Sequence, residues 1–168
     1  MPSNDGPTVF ASSYVLSTNE DQSVSTNLYV DDPDFYELSA DGLMAVNISV
    51  INGTVSLSSD YGGIYFIEGT DTNSSDIQMV GSLIAVNRSI NTLTFNPFQH
   101  QFGTAQITLT LSDQGFGGTG GPRSDSLIIN ITIFPVLHQL RSCVQIRGYW
   151  CLWTLSLLLL VSSRLVSY

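Results

Sequence analysis

The stretch LTLSDQGFGGTGG, Leu109–Gly121, carries a literal G-x-G-x-x-G directly after an alternating run, and its reading decides the fold. A dinucleotide cradle needs its last glycine to open a helix, because the pyrophosphate rests on the free N–H groups and positive dipole end of that helix. After Gly121 come Pro122, Arg123, Ser124 and then a run in which Leu127, Ile129, Ile131 and Ile133 alternate with Ile128, Asn130, Thr132 and Phe134. That period of two, rich in β-branched residues, predicts a strand. The glycines therefore join two strands of a hairpin. A Walker-type phosphate loop fails for a simpler reason: it needs a lysine, and all five basic residues of the chain are arginine.

The same period runs from Thr8 to Ile133. Expected strands are TVFASSYVL, SVSTNLYV, LMAVNISVI, TVSL, GIYFI, DIQMV, NTLTF, AQITLTL and SLIINITIF, parted by turn clusters such as Asn52-Gly53, Tyr61-Gly62-Gly63 and the polar run 69–76. Many short strands with frequent turns predict an all-β antiparallel sandwich. Asn52-Gly53 suits a tight type I′ hairpin. One segment breaks the rule: in SLIAVNRSINTL the apolar residues Leu83, Val86, Ile90 and Leu93 recur at steps of three and four, which predicts a helical crossover with Ser82 as N-cap.

The chain has 168 residues and a formal charge of −9. All 14 carboxylates lie at or before Asp125, where only Arg88 and Arg123 oppose them. Nucleic acid is an unsuitable partner for such a body, and cations are suitable ones, unless the acids serve only to keep a surface soluble. Five N-x-[ST] sequons, at Asn47, Asn52, Asn73, Asn87 and Asn130, suggest a secretory route. Asn47 and Asn130 alternate with apolar residues, so sugars there would point to solvent. Asn87 lies beside Val86 near the inward face of the expected helix, which suits local hydrogen bonding better than glycosylation.

After Val136 the composition changes: residues 137–168 hold no carboxylate, gain Cys143 and Cys151, and include an apolar run between Arg147 and Arg164. Sixteen uncharged residues fall short of the roughly twenty that span a bilayer. Three readings stay open: a marginal membrane anchor with snorkelling arginines, a cleaved lipid-anchor signal, or non-native sequence. The polar opening Met1–Pro7 lacks the apolar core of a signal peptide, so an extracellular domain here is expected to derive from a longer chain. The expected division is a sandwich over residues 4–136 and a basic, apolar tail over 137–168, with any membrane contact made through the tail alone.

Two stretches, SNDGPTVFASSYVLSTNEDQSVSTNLYVDDPD and VGSLIAVNRSINTLTFNPFQHQFGTAQITLTLSDQGFGGTGGPRSDSLIINITI, resemble cadherin-like tandem repeats of large surface and adhesion proteins of the bacterial and protist type. The first matches in its Asn-Asp linker, proline and D-x-D strand end. The second matches in a short helix before L-x-F-x-P, a phenylalanine-glycine pair, a strand ending S-D-x-G and a final S-D-S strand. The resemblance covers about residues 4–135 and implies a Greek-key immunoglobulin/cadherin-like β-sandwich with one short helical crossover. It also implies calcium at the junctions between neighbouring repeats of the same chain. Carried over residue by residue, the upper-pole metal ligands are Asn4, Asp5, Asp32, Asp34 and Asp113, with Asp31 a further candidate. Aspartates beside glycine turns at strand ends suit the six to eight oxygens calcium takes. Glu20 and Asp21 belong to the opposite pole, because the run from Gln22 to Val30 separates them from Asp32 by about 30 Å. Two departures bear on that pole: Phe134-Pro135-Val136-Leu137 offers no carboxylate linker, and LTFNPF replaces L-D-x-E.

An enzyme is not expected. His100 and His138 are the only histidines, no serine stands in G-x-S-x-G, and His100 has no partner nearby in sequence. The expected role is an extracellular structural or adhesion repeat of a cell-surface protein, meeting a protein or glycan partner. The rival is a calcium-independent carbohydrate- or protein-binding sandwich.

Overall fold

The computed structural model of the protein describes residues 3–37, 42–58, 62–115 and 119–136, all within the unit Met1–Val136. The readings that fall on Tyr61, His138, Cys143, Cys151 and the apolar tail lie outside the described residues. Among the described residues no helix is long and apolar enough to cross a membrane.

The chain forms an all-β sandwich with eleven described strands and two helices. In chain order the strands are β1 (Thr8–Ala11), β2 (Val15–Asn19), β3 (Val24–Thr26), β4 (Leu28–Asp31), β5 (Leu43–Ile51) and β6 (Gly53–Ser56). They continue with β7 (Ile64–Glu68), β8 (Asp76–Ser82), β9 (Leu93–Pro97), β10 (Gly103–Ser112) and β11 (Ser124–Phe134). One layer is a six-stranded sheet in the order β2-β11-β10-β5-β8-β7. The other comprises the three-stranded sheet β3-β9-β6 and the pair β1-β4, with β3 and β4 separated only by Asn27. Strands pair antiparallel except β2, which runs parallel to β11 from Val15 against Asn130 to Asn19 against Phe134.

The expected run TVFASSYVL is in fact two strands in two layers. The chain leaves β1 at Ser12, whose N–H bonds the Asn27 carbonyl at 2.8 Å and whose Oγ accepts the Asn27 N–H at 3.1 Å, and it then joins β11. This crossing explains why both layers share one core. Along β11, Leu127, Ile129, Ile131 and Ile133 are buried while the alternate residues are exposed. Val30, Ile48, Val55, Phe95, Ile107 and Leu109 are fully enclosed in the same cluster. Each such side chain contributes about 1.5–3 kcal/mol on leaving water.

The helix expected after Ser82 is present as α2 (Leu83–Ile90), the second helix after α1 (Pro33–Glu37). Ser82 has an extended backbone and its Oγ accepts the Ala85 N–H, satisfying one of the free donors of the first turn. Leu83, Val86 and Ile90 face the core, and Leu93 opens β9. Asn87 bonds the backbone of β4 with both ends of its amide, accepting from the Val30 N–H at 2.7 Å and donating to the Val30 carbonyl at 2.7 Å. Its side chain thus does for β4 what a neighbouring strand would do.

The tight hairpin expected at Asn52-Gly53 does not form. β5 lies in the six-stranded sheet and β6 pairs with β9 in the other layer, so these two residues turn a corner between sheets. Asn52 carries the positive φ, at 63°, and Gly53 does not. The glycine is required for another reason: a Cβ there would run into the Phe95 ring and stand 2.6 Å from the Asn96 carbonyl oxygen.

Two outcomes are expected in urea unfolding. Asn87→Ala strips both partners from a buried backbone pair and costs about 2–3 kcal/mol. Gly53→Ala overpacks the corner and costs about 1–3 kcal/mol, whereas a hairpin glycine with room around it would tolerate the methyl.

Candidate metal centre

Four polar side chains at the pole where β4 and β10 end are buried: Asn4 and Asp113 are 0% exposed, and Asp32 and Asp34 are 3% exposed. Each is brought there by local structure. Asp113 follows β10 directly, and its Oδ1 accepts the N–H groups of Gly115 and Arg123, both at 2.8 Å. Its own N–H bonds the Arg123 carbonyl at 3.1 Å. The aspartate of LTLSDQG therefore closes the glycine hairpin, with Gln114 and Gly115 both at positive φ.

Asp32 lies between β4 and α1. Its Oδ1 accepts the Asp34 N–H at 3.0 Å and its carbonyl accepts the Phe35 N–H at 3.3 Å, which caps a short helix begun by proline. The D-x-D spacing thus belongs to a strand end and the turn after it. Helix α1 itself was not foreseen from the alternation, although Asp32-Pro33 is a helix-start pattern in its own right. Asp34 Oδ2 accepts the Asp5 N–H at 2.7 Å.

Asn4 holds the incoming segment to the hairpin. Its backbone N–H bonds the Thr119 carbonyl at 3.1 Å, and its Nδ2 donates to Asp113 Oδ2 at 2.9 Å and to the Gly121 carbonyl at 2.7 Å. Both of those partners are acceptors, so the amide orientation is fixed: reversing it would set oxygen against oxygen. Asn4 Oδ1 is left buried with no hydrogen-bond partner, and so is Asp34 Oδ1.

The pole is mostly acidic, with the Arg123 side chain beside Gly6 and Gly120 as a cation near it. Among the described residues no ion pair involves Asp32, Asp34 or Asp113; the pair that does form joins His100 Nδ1 to Asp21 Oδ2 at 3.3 Å. Burial holds the Asp32 carboxyl above its ordinary range; the Asp34 N–H opposes this, while the charges of Asp34, Asp113 and Asp31 add to it. Burying charges without counter-charges is costly. Among the described residues no group of three or more His, Cys, Asp or Glu side chains is arranged to hold a metal ion as it stands. Hard cations also take amide and carbonyl oxygens. What the pole does contain is buried carboxylate and two oxygens without donors.

The remaining expected positions fall elsewhere. Asp5 joins the cluster through its backbone, while its residue is exposed. Glu20 lies at the far end of β11: its N–H bonds the Phe134 carbonyl at 2.8 Å and its Oε1 accepts the Val136 N–H at 2.7 Å. The eleven residues of β11 put about 30 Å between it and Asp113. Asp21 sits there too, accepting the His100 N–H at 2.8 Å, so His100 gains a carboxylate neighbour that spacing along the chain gave no sign of. Of the sequons, Asn47, Asn73 and Asn130 are exposed, while Asn52 is half-buried and donates from Nδ2 to the Thr104 carbonyl at 2.8 Å. Alternation also gave no hint of Asp125, whose Oδ2 accepts the Val9 N–H at 3.0 Å and pins β1 to β11.

No family model matches the chain, and no curated protein matches it.

The raised Asp32 value fixes the sign of a pH dependence. An acid whose folded value exceeds its unfolded one binds more protons when folded. Its stabilising contribution is complete below about pH 4 and is lost as pH rises through the folded value. In chelator, the melting temperature is expected to fall as pH rises from about 4 through the raised folded value, and Asp32→Asn, which keeps the cap, is expected to flatten that slope.

Proposed function

We propose that residues 4–136 are an extracellular adhesion repeat of a cell-surface protein, without catalytic activity, that takes a calcium ion at the pole built from Asn4, Asp32, Asp34 and Asp113. The observation that carries this reading is the pair of buried, donorless oxygens, Asn4 Oδ1 and Asp34 Oδ1, within a carboxylate cluster that forms no ion pair among the described residues. A hard divalent cation bound there would supply the kind of partner these oxygens lack. Calcium accepts mixed carboxylate, amide and carbonyl oxygens in irregular geometry, whereas magnesium demands a near-ideal octahedron.

The location of the cluster supports a role between repeats. Asn4 and Asp5 belong to the segment leading into β1, so an ion there would stiffen the link to a neighbouring repeat of the same chain. The sequence resemblance to cadherin-like repeats points the same way. Glu20 is engaged with the outgoing backbone at Val136, which suits it to anchoring the exit more than to forming a second ion site. A protein or glycan partner would then meet the lateral faces of the sandwich.

The test is thermal melting of the unglycosylated full chain against calcium. A ligand that binds only the folded state at about a hundred times its Kd adds about 2.7 kcal/mol, seen as a rise of several degrees. Asp34→Ala and Asp113→Ala are expected to abolish the rise, and magnesium is expected to give little. No shift at millimolar calcium would leave the calcium-independent binding module as the better description.

A further inference from the structure

The outer face of the six-stranded sheet carries a cleft with a character unlike the rest of this acidic body. It is a shallow depression of about 220 Å³ over β5, β7, β8 and β10, lined by the apolar side chains of Ala45, Ile67 and Val80 and the neutral polar ones of Gln78, Thr110 and Ser112. Asn47 lies in the same cleft. It is exposed, and its register partners are Gln78 on β8 and Thr110 on β10.

Asn47 is also the acceptor of the sequon Asn47-Ile48-Ser49. The Nδ2 groups of Asn52 and Asn87 are engaged as donors, to Thr104 and Val30. Among the described residues the side-chain amides of Asn73 and Asn130 bond only through oxygen, accepting from Asn96 and Gln106, and that of Asn47 bonds through neither end. Of these three, Asn47 lies in the cleft. Its nitrogen can therefore take a substituent without any native contact being lost.

Resting on the extracellular reading proposed above, we propose that Asn47 carries an N-linked glycan whose first N-acetylhexosamine is seated in this cleft. The chemistry of the lining suits a sugar. Hydroxyls of Thr110 and Ser112 and the free oxygen of Gln78, whose nitrogen is engaged by Glu68 at 2.9 Å, provide neutral hydrogen-bonding groups. Ala45, Val80 and Ile67, the last 62% exposed, provide an apolar floor for the ring's C–H face. Among the described residues no carboxylate lines the cleft itself, and that of Glu68 stands at its margin on the Gln78 amide.

Size decides between a tethered sugar and a free one. Sites for free ligands run to about 300–1,000 Å³ and bury most of the ligand; this cleft is smaller and open. A free saccharide would also lose its translational and rotational freedom on binding. A sugar covalently bound to Asn47 has already lost it, and its effective concentration over the cleft is high. The seated ring would in addition cover Ile67 on β7, the outermost strand of the sheet among the described residues.

The experiment is secretion of the full chain behind a leader peptide from a eukaryotic cell line, with glycopeptide mass spectrometry of every sequon. If the chain is retained, the folded intracellular pool is mapped instead. Asn47 is expected to be occupied in most molecules and Asn87 in none. Trimming to the first N-acetylglucosamine is expected to keep the melting temperature, and complete removal or Asn47→Gln to lower it by about 2–4 °C. Asn130→Gln is expected to change it little. Ile67→Ala, which leaves the sequon intact, is expected to keep occupancy while abolishing the gain from the sugar. Folded protein without sugar at Asn47 overturns the proposal, whatever the other sequons carry. So does occupancy with no loss of melting temperature on complete removal. Calcium-dependent melting of the unglycosylated protein is independent of either result.

Discussion

Asp113 ends β10 by turning its carboxylate back on the chain, and much of the molecule is arranged around that choice. One oxygen takes the two backbone N–H groups that close the glycine hairpin, from Gly115 and Arg123, and the other takes the Asn4 amide. The hairpin and the incoming segment are thereby fixed to one buried anion. Because β10 pairs with β5 on one side and β11 on the other, the anion is set by the centre of the large sheet. Asp32 and Asp34 approach it from the other layer, at the end of β4. Two sheets that share a hydrophobic core therefore also share, at one rim, a concentration of negative charge.

The second constraint is the treatment of β4. It pairs with β1 on one side only, and on the other the Val30 backbone would be left unpaired within the core. The amide of Asn87, carried on α2, supplies a donor and an acceptor in the spacing of a strand. A helix can thus stand where a strand would otherwise be needed. The same contact explains why an N-x-S sequence at this position is structural: Ser89, the third residue of the sequon, is buried on the same helix.

Much of the fold was legible because it rests on two periodicities. Alternation located β5, β8, β10 and β11 closely, and the spacing of Leu83, Val86 and Ile90 located α2 with its Ser82 cap. What alternation could not reveal was a change of layer within an unbroken pattern. The period continues from Thr8 to Leu16 while the chain crosses from β1 to β2, and Asn52-Gly53 reads as a hairpin though it turns a corner against Phe95. The grouping of Asp32, Asp34 and Asp113 was implied by the resemblance, with which their places at strand ends and beside glycine turns agree. The engagement of Asp125 with Val9 and of Asp21 with His100 depends on contacts about 80 to 116 residues apart, which no local spacing encodes. Asp5 was legible as a neighbour of the cluster, but the alternation of a chain segment does not say whether backbone or side chain makes the contact.

The parallel pairing of β2 with β11 has a mechanical consequence. The segment at Asn4 sits at one pole and Val136 at the other, beside Glu20. Tension between these points drags β2 toward one end and β11 toward the opposite one, along the axis of their shared ladder. The bonds from Val15 to Asn19 then lie across the load and must yield together, as in a lap joint under shear, instead of opening singly like a zip.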